Sequence, residues 1–146
     1  KKYQIIHLVG KGLLNKDINV EGYNQYEFLS SELFDIFKIV DFTISRAGAN
    51  ALYEFLALNI PAILVPLGTN QSRGDQIENA KFFEKNGFAL VIQEDSFKDL
   101  ELTKVDDFYN SLNDYKNAMI KYKDEKKVIN NVEDFYNKIL KEVGGK

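Results

Sequence analysis

Cysteine is absent from the 146 residues, and histidine occurs once, at His7. Without cysteine there is no disulfide framework, no thiolate metal site and no cysteine nucleophile. A single histidine excludes a multi-histidine metal centre and leaves little material for a Ser-His-Asp triad. An excess of basic charge is missing too. Acids number 22 against 19 bases, for a formal charge of −3, which argues against nucleic acid as a partner held by a dense basic face. Arginine is scarce, with only Arg46 and Arg73 among those bases. No apolar run approaches the roughly 20 residues that span a bilayer. The Lys1-Lys2 start leads into no signal-peptide pattern, so the expected setting is cytoplasmic.

What is present describes one ordinary soluble domain. Hydrophobic residues make up 45% and charged residues 28% of the chain. A chain of this length buries roughly two-thirds of its unfolded surface. Residues 4–9 form a short apolar run closed by Gly10-Lys11-Gly12, a buried strand ending in a tight turn. A weaker strand is expected over residues 18–23. Ser30, Ser31 and Glu32 start a helix whose apolar face includes Leu33, Phe34, Ile36 and Phe37. Residues 42–45 read as a strand, and the small-residue turn Arg46-Ala47-Gly48-Ala49-Asn50 opens a helix to about Leu58. Asn59-Ile60-Pro61 stops it, residues 62–65 form a buried strand, and residues 68–74 form a polar loop. Residues 75–86 form a helix stopped by Gly87, and residues 88–92 form the last strand. Helices are then expected over 103–112, 115–122 and 128–143, with a loose tail from Gly144. Strands alternating with helices predict an α/β, Rossmann-like parallel sheet with helices on both faces and a helical C-terminal end.

Open α/β sheets bind ligands outside the carboxyl ends of their strands. The turn from Ser45 to Asn50 delivers small residues into a helix N-terminus, where free N–H groups and the helix dipole suit an anion. Gly48 and Ala49 leave room for a phosphate, although tight helix–sheet packing explains the same small residues. Glu54, four residues after Asn50, is placed to accept two hydrogen bonds from a diol such as ribose, or is an ordinary surface glutamate. Asp75, Gln76 and Asn79 offer amide and carboxylate groups suited to sugar hydroxyls, with Asp75 also readable as a helix cap. Arg73 faces a phosphate or solvent. His7, inside a strand, reads as a satisfied or packed histidine ahead of a catalytic base, and Lys11 either lies near an anion or is part of a plain turn. No GxGxxG, P-loop or Asp-x-Asp pattern occurs, so neither nucleotide hydrolysis nor a metal-dependent sugar-nucleotide site of that kind is supported.

Three blocks in order, Ile44 to Glu54, Pro61 to Pro66 and Asp75 to Ala80, closely resemble the C-terminal domain of the MurG family, in glycosyltransferase family 28. The likeness covers about residues 3–92. It implies the C-terminal half of a GT-B fold that holds the donor UDP-N-acetylglucosamine, with no cofactor and no metal. By motif position, Glu54 matches the glutamate that holds the ribose hydroxyls. Gly48, Ala49 and Asn50 match the helix end that meets the diphosphate, and Arg46 belongs to the signature. Asp75 and Gln76 fall where the family usually carries a Gln-Gln pair reading the sugar, so Asp75 is a departure and leaves the sugar specificity open. Leu29, within the segment 28–30, is the best match to the backbone that holds the uracil.

The resemblance also implies what residues 1–146 lack: the first strand, glycine-rich loop and helix of this domain, and the N-terminal acceptor domain with the catalytic base. The expected whole protein is an inverting hexosyltransferase that converts lipid I to lipid II, peripheral on the cytoplasmic face of the membrane. This chain alone is expected to be inactive, with an exposed sheet edge that invites homodimers. Two other readings are a stand-alone donor subunit of a two-subunit transferase and a non-catalytic UDP-binding module.

Overall fold

The computed structural model describes residues 3–68, 74–97 and 100–126. Arg73, most of the 68–74 loop and the helix expected over 128–143 lie outside the described residues. The chain divides into two compact units, Lys1–Ile39 and Val40–Lys146.

In the first unit, β1 (Ile5–Leu8) pairs in parallel with β2 (Tyr23–Tyr26), Ile5 opposite Tyr23 and Leu8 opposite Tyr26. The weaker strand therefore lies later than expected, sharing only Tyr23 with the predicted 18–23. Ile18-Asn19-Val20 forms no strand because it links two turns, closed by Ile18 N–H to Asn15 O and by Tyr23 N–H to Val20 O. Tyr23 N–H donates to Val20 O at 3.0 Å, and Gly22 takes a φ of 83°. Side chains of β2 and its flank then hold the long connection in place. Gln25 accepts from Asn15 N–H at 3.1 Å and donates to Asn15 O at 3.0 Å, and Glu27 Oε1 accepts from Gly12 N–H at 2.8 Å. Helix α1 (Glu32–Ile39) follows.

The second unit contains β3 (Thr43–Ser45), α2 (Ala49–Leu58), β4 (Ala62–Leu64), α3 (Asp75–Lys85) and β5 (Ala89–Val91). Its three strands are all parallel in the order β3-β4-β5, so α2 and α3 are the crossovers of two consecutive βαβ units. The strands are thus parallel as expected, grouped into a two-stranded and a three-stranded sheet. Ala62, Ile63 and Leu64 of the central strand are 0% exposed, which is why this segment reads as an unbroken apolar run rather than an alternating one. Leu52, Phe55 and Leu56 of α2, Phe83 of α3, and Phe88 complete the core around it.

The helix stops follow the sequence signals. Gly87 takes a φ of 71°, its N–H donates to Glu84 O at 3.0 Å, and Phe88 N–H donates to Phe83 O at 2.9 Å. This bond pair closes a helix end in the left-handed conformation. Asn59, at φ 55°, closes α2 with the same pair of bonds to Leu56 O and Phe55 O. A Cβ on Gly87 would meet only Ala118 Cβ at 3.6 Å, so Gly87→Ala costs conformational strain and not a clash. The expected loss is about 1–2 kcal/mol of unfolding free energy by urea titration. An unchanged midpoint would contradict the cap.

Beyond β5 lie α4 (Glu94–Phe97), α5 (Leu102–Asn110) and α6 (Leu112–Lys126). The sequence reading missed α4 and trimmed α6 to residues 115–122. Helix α6 is longer because Leu112, Met119 and Lys123 all face inward, a stripe that lysine obscures. Lys123 is buried, its Nζ donating to Ala57 O at 3.0 Å near the end of α2. Burial holds its ammonium below the ordinary lysine value. No helix among the described residues is long and apolar enough to cross a membrane.

Candidate functional site

The carboxyl ends of β3 and β4 carry the turn that the sequence singled out. Ser45 Oγ donates to Arg46 O at 2.9 Å, and Ala47 is fully buried. Asn79 Nδ2 of α3 donates to Ala47 O at 3.1 Å. Arg46 spreads its guanidinium over two acceptors, Nη1 on Val65 O at 3.1 Å and Nη2 on Glu94 Oε1 at 2.5 Å. The turn is thus tied to the end of β4, to α3 and to α4.

Gly48 comes next and behaves differently. As the cap of α2 it has φ −71° and ψ 137°, an extended conformation that any residue adopts. A Cβ built on it meets nothing within 4 Å among the described residues. Neither backbone conformation nor packing within the described residues requires glycine there. The tight-packing explanation of this small residue therefore fails at Gly48. Having no side chain, Gly48 also leaves the first-turn amides of α2 without a side-chain acceptor. Ala49 and Asn50 are exposed at that helix end.

Glu54 stands four residues beyond Asn50, on the same side of α2. It is half-buried between the buried Leu52 and Phe55 in sequence, and burial alone pushes its carboxyl above the ordinary value of 4.5. Tyr53 beside it is exposed. A carboxylate partly removed from water is primed to accept hydrogen bonds from a ligand that restores what water lost.

At the start of α3, Asp75 is exposed and is not the cap. Gly74, with φ 87°, holds that position, and its carbonyl accepts from Ile77 and Glu78 N–H. Gln76 is half-buried, and its Oε1 accepts from Leu67 N–H at 3.0 Å. The oxygen of that amide is engaged by the main chain, and the remaining polar group of the side chain is its NH2, a donor. Asn79, expected among the sugar-facing groups, uses its amide to hold Ala47. Leu29 belongs to the first unit, half-buried between β2 and α1. His7 is exposed and not packed, with Nδ1 2.6 Å from Tyr23 Oη as its hydrogen-bond partner, and Gly12 N–H near Lys11 is engaged by Glu27. Glu94 escaped the sequence reading altogether, since a contact 48 residues distant from Arg46 leaves no local signal.

Parallel strands joined by crossover helices define a Rossmann-like α/β domain. Residues 1–139 match the glycosyltransferase family 28 C-terminal domain. The chain belongs to that family. It is 60% identical over 95 residues to a Staphylococcus carnosus protein named UDP-N-acetylglucosamine--N-acetylmuramyl-(pentapeptide) pyrophosphoryl-undecaprenol N-acetylglucosamine transferase, covering 65% of this chain and 26% of that protein. A Staphylococcus haemolyticus protein of the same name is 46% identical over 140 residues, or 96% of this chain and 39% of its own length. A Bacillus cereus protein of that name with the suffix 2 is 50% identical over 124 residues, covering 84% of this chain and 35% of that protein. The chain spans between about a quarter and two-fifths of the curated relatives it matches.

Proposed function

We propose that this chain is the donor-binding part of an inverting hexosyltransferase and that it holds UDP-N-acetylglucosamine at the carboxyl ends of β3 and β4. The observation that carries the reading is Gly48: a glycine needed by neither fold nor packing, at a helix end whose amides have no side-chain cap. A diphosphate uses that combination, since its oxygens approach the backbone closely and accept from the amides at Ala49 and Asn50. Glu54 takes the ribose diol, and the NH2 of Gln76 donates to a sugar hydroxyl. Asp75, exposed beside it, supplies an acceptor to a second hydroxyl. The names of the relatives supply the identity of the sugar nucleotide and of the lipid-linked acceptor.

In the whole protein the reaction converts lipid I to lipid II. The muramyl 4-hydroxyl attacks the anomeric carbon of the donor, the bond from that carbon to the β-phosphate oxygen breaks with inversion, and UDP departs. The proton of the attacking hydroxyl goes to a base outside this chain. Negative charge grows on the β-phosphate as the bond breaks, and the α2 amides and dipole stabilise it there. The protein works peripherally on the cytoplasmic face of the membrane, where its acceptor lies.

Isothermal titration of this chain with UDP-N-acetylglucosamine, UDP and ADP tests the donor site. Uridine selectivity, with the sugar nucleotide bound at least as tightly as UDP, is the expected result. Equal binding of ADP and UDP would sink the assignment. Binding of UDP with no response to the sugar would favour a nucleotide-binding module instead.

A further inference from the structure

We infer that Glu94 is a positioning residue for the N-terminal end of α2, acting through the guanidinium of Arg46; this rests on the diphosphate reading of that helix end. The turn before Gly48 is held from three directions. Arg46 reaches Val65 O and Glu94 Oε1 with separate nitrogens, and Asn79 of α3 holds Ala47 O. Immediately after this clamped turn, Gly48 has nothing within 4 Å of an added Cβ. The geometry is a fixed base with an open front, the arrangement that lets amides meet an anion with little ordering cost.

The ion pair adds little stability. Its two side chains are 46% and 36% exposed, and pairs so exposed to water contribute little. What the contact does supply is direction. A guanidinium is a rigid planar fork, so fixing one nitrogen on Glu94 and the other on Val65 O fixes the backbone from which it projects. Each of those nitrogens has a protein acceptor, so the guanidinium is directed along the Val65 and Glu94 contacts and Arg46 is assigned to orienting the turn. Pairing with Arg46 also neutralises the Glu94 carboxylate, which would otherwise repel an anion near the turn.

The test compares Glu94→Gln, Arg46→Ala, Arg46→Lys and the Arg46→Ala/Glu94→Gln double variant, titrated with UDP. Each single change is expected to weaken binding about 3- to 10-fold, with the melting temperature held within about 2 °C. The double variant is expected to be no weaker than Arg46→Ala, because both changes break one strut. Arg46→Lys is expected to be as weak as Arg46→Ala, because one ammonium cannot serve both acceptors in the fork geometry. Full affinity in Glu94→Gln and Arg46→Lys, with loss only in Arg46→Ala, would make Arg46 a direct charge contact and overturn the inference. An additive double variant would overturn it as well.

A second readout needs no ligand. Backbone order parameters at Gly48 and Ala49 are expected near about 0.85 in the unaltered chain and below about 0.6 in Glu94→Gln. Order parameters that stay high in the variant overturn the positioning role. If the unaltered chain binds no UDP while the variant still loosens the turn, the donor-site reading fails and the positioning of the turn stands.

Discussion

Replacing Glu54 by alanine weakens UDP binding by roughly 30- to 150-fold and leaves the fold intact. The estimate comes from two charge-assisted hydrogen bonds to a ribose diol, together worth about 2–3 kcal/mol after desolvation. The fold tolerates the change because Glu54 is an electrostatic liability to the empty protein. Burial raises its carboxyl above 4.5, so the folded chain holds the proton more tightly than the unfolded chain does. The stability this confers is complete below the unfolded value and is lost as pH rises through the raised folded value. At neutral pH the ionised carboxylate therefore works against folding, and Glu54→Ala or Glu54→Gln melts no lower than the unaltered chain.

The ligand reverses that balance. Ribose hydroxyls donating to the carboxylate, as proposed, would favour its ionised form. UDP affinity is accordingly expected to fall as pH drops through the raised Glu54 value. Binding in that range releases a proton, seen as a dependence of the titration heat on the ionisation enthalpy of the buffer. The pH dependence should disappear in Glu54→Gln. Wild-type affinity in Glu54→Ala, or a pH profile unchanged in Glu54→Gln, would remove Glu54 from the site.

Gly48→Asp has the second large effect, and its two consequences point in opposite directions. At φ −71° and ψ 137° Gly48 already has the backbone of a good helix cap, and a Cβ there meets no described residue within 4 Å. An aspartate would accept from the first-turn amides of α2 and face the positive end of the helix dipole, adding up to about 1 kcal/mol of stability. The same carboxylate would occupy the amides assigned to the diphosphate and repel it. UDP binding is expected to fall by roughly 100-fold or more. A more stable protein that no longer binds is the signature of a position kept open for a ligand. A destabilised variant, or one that binds UDP normally, would contradict the assignment of the α2 end.

Several of these features were legible in the sequence for local reasons. The segment around Ile63 reads as a strand because both faces of a central parallel strand are covered and every side chain is apolar. Gly87 and Asn59 mark helix ends because a left-handed residue is needed there, and glycine and asparagine supply it. The second strand was misplaced for an equally physical reason. Tyr-Asn-Gln-Tyr carries little apolar signal, and its stability comes from pairing with β1 and from the Gln25 bonds to Asn15, neither of which is local. Lysine at position 123 disguised an inward-facing stripe of α6, since only the partner carbonyl of Ala57 makes a buried lysine acceptable.

By itself the sequence determined the alternation of short parallel strands with helices, the family, and the identity of the candidate groups at Gly48, Glu54 and Gln76, because these depend on periodicity, small residues and motif order along the chain. Tertiary structure decided what those groups are free to do. The oxygen of Gln76 is engaged by Leu67, Asn79 and Arg46 hold the turn, and a Cβ on Gly48 would meet no described residue within 4 Å. Each outcome depends on which residues, distant in sequence, the folded chain brings within hydrogen-bond reach.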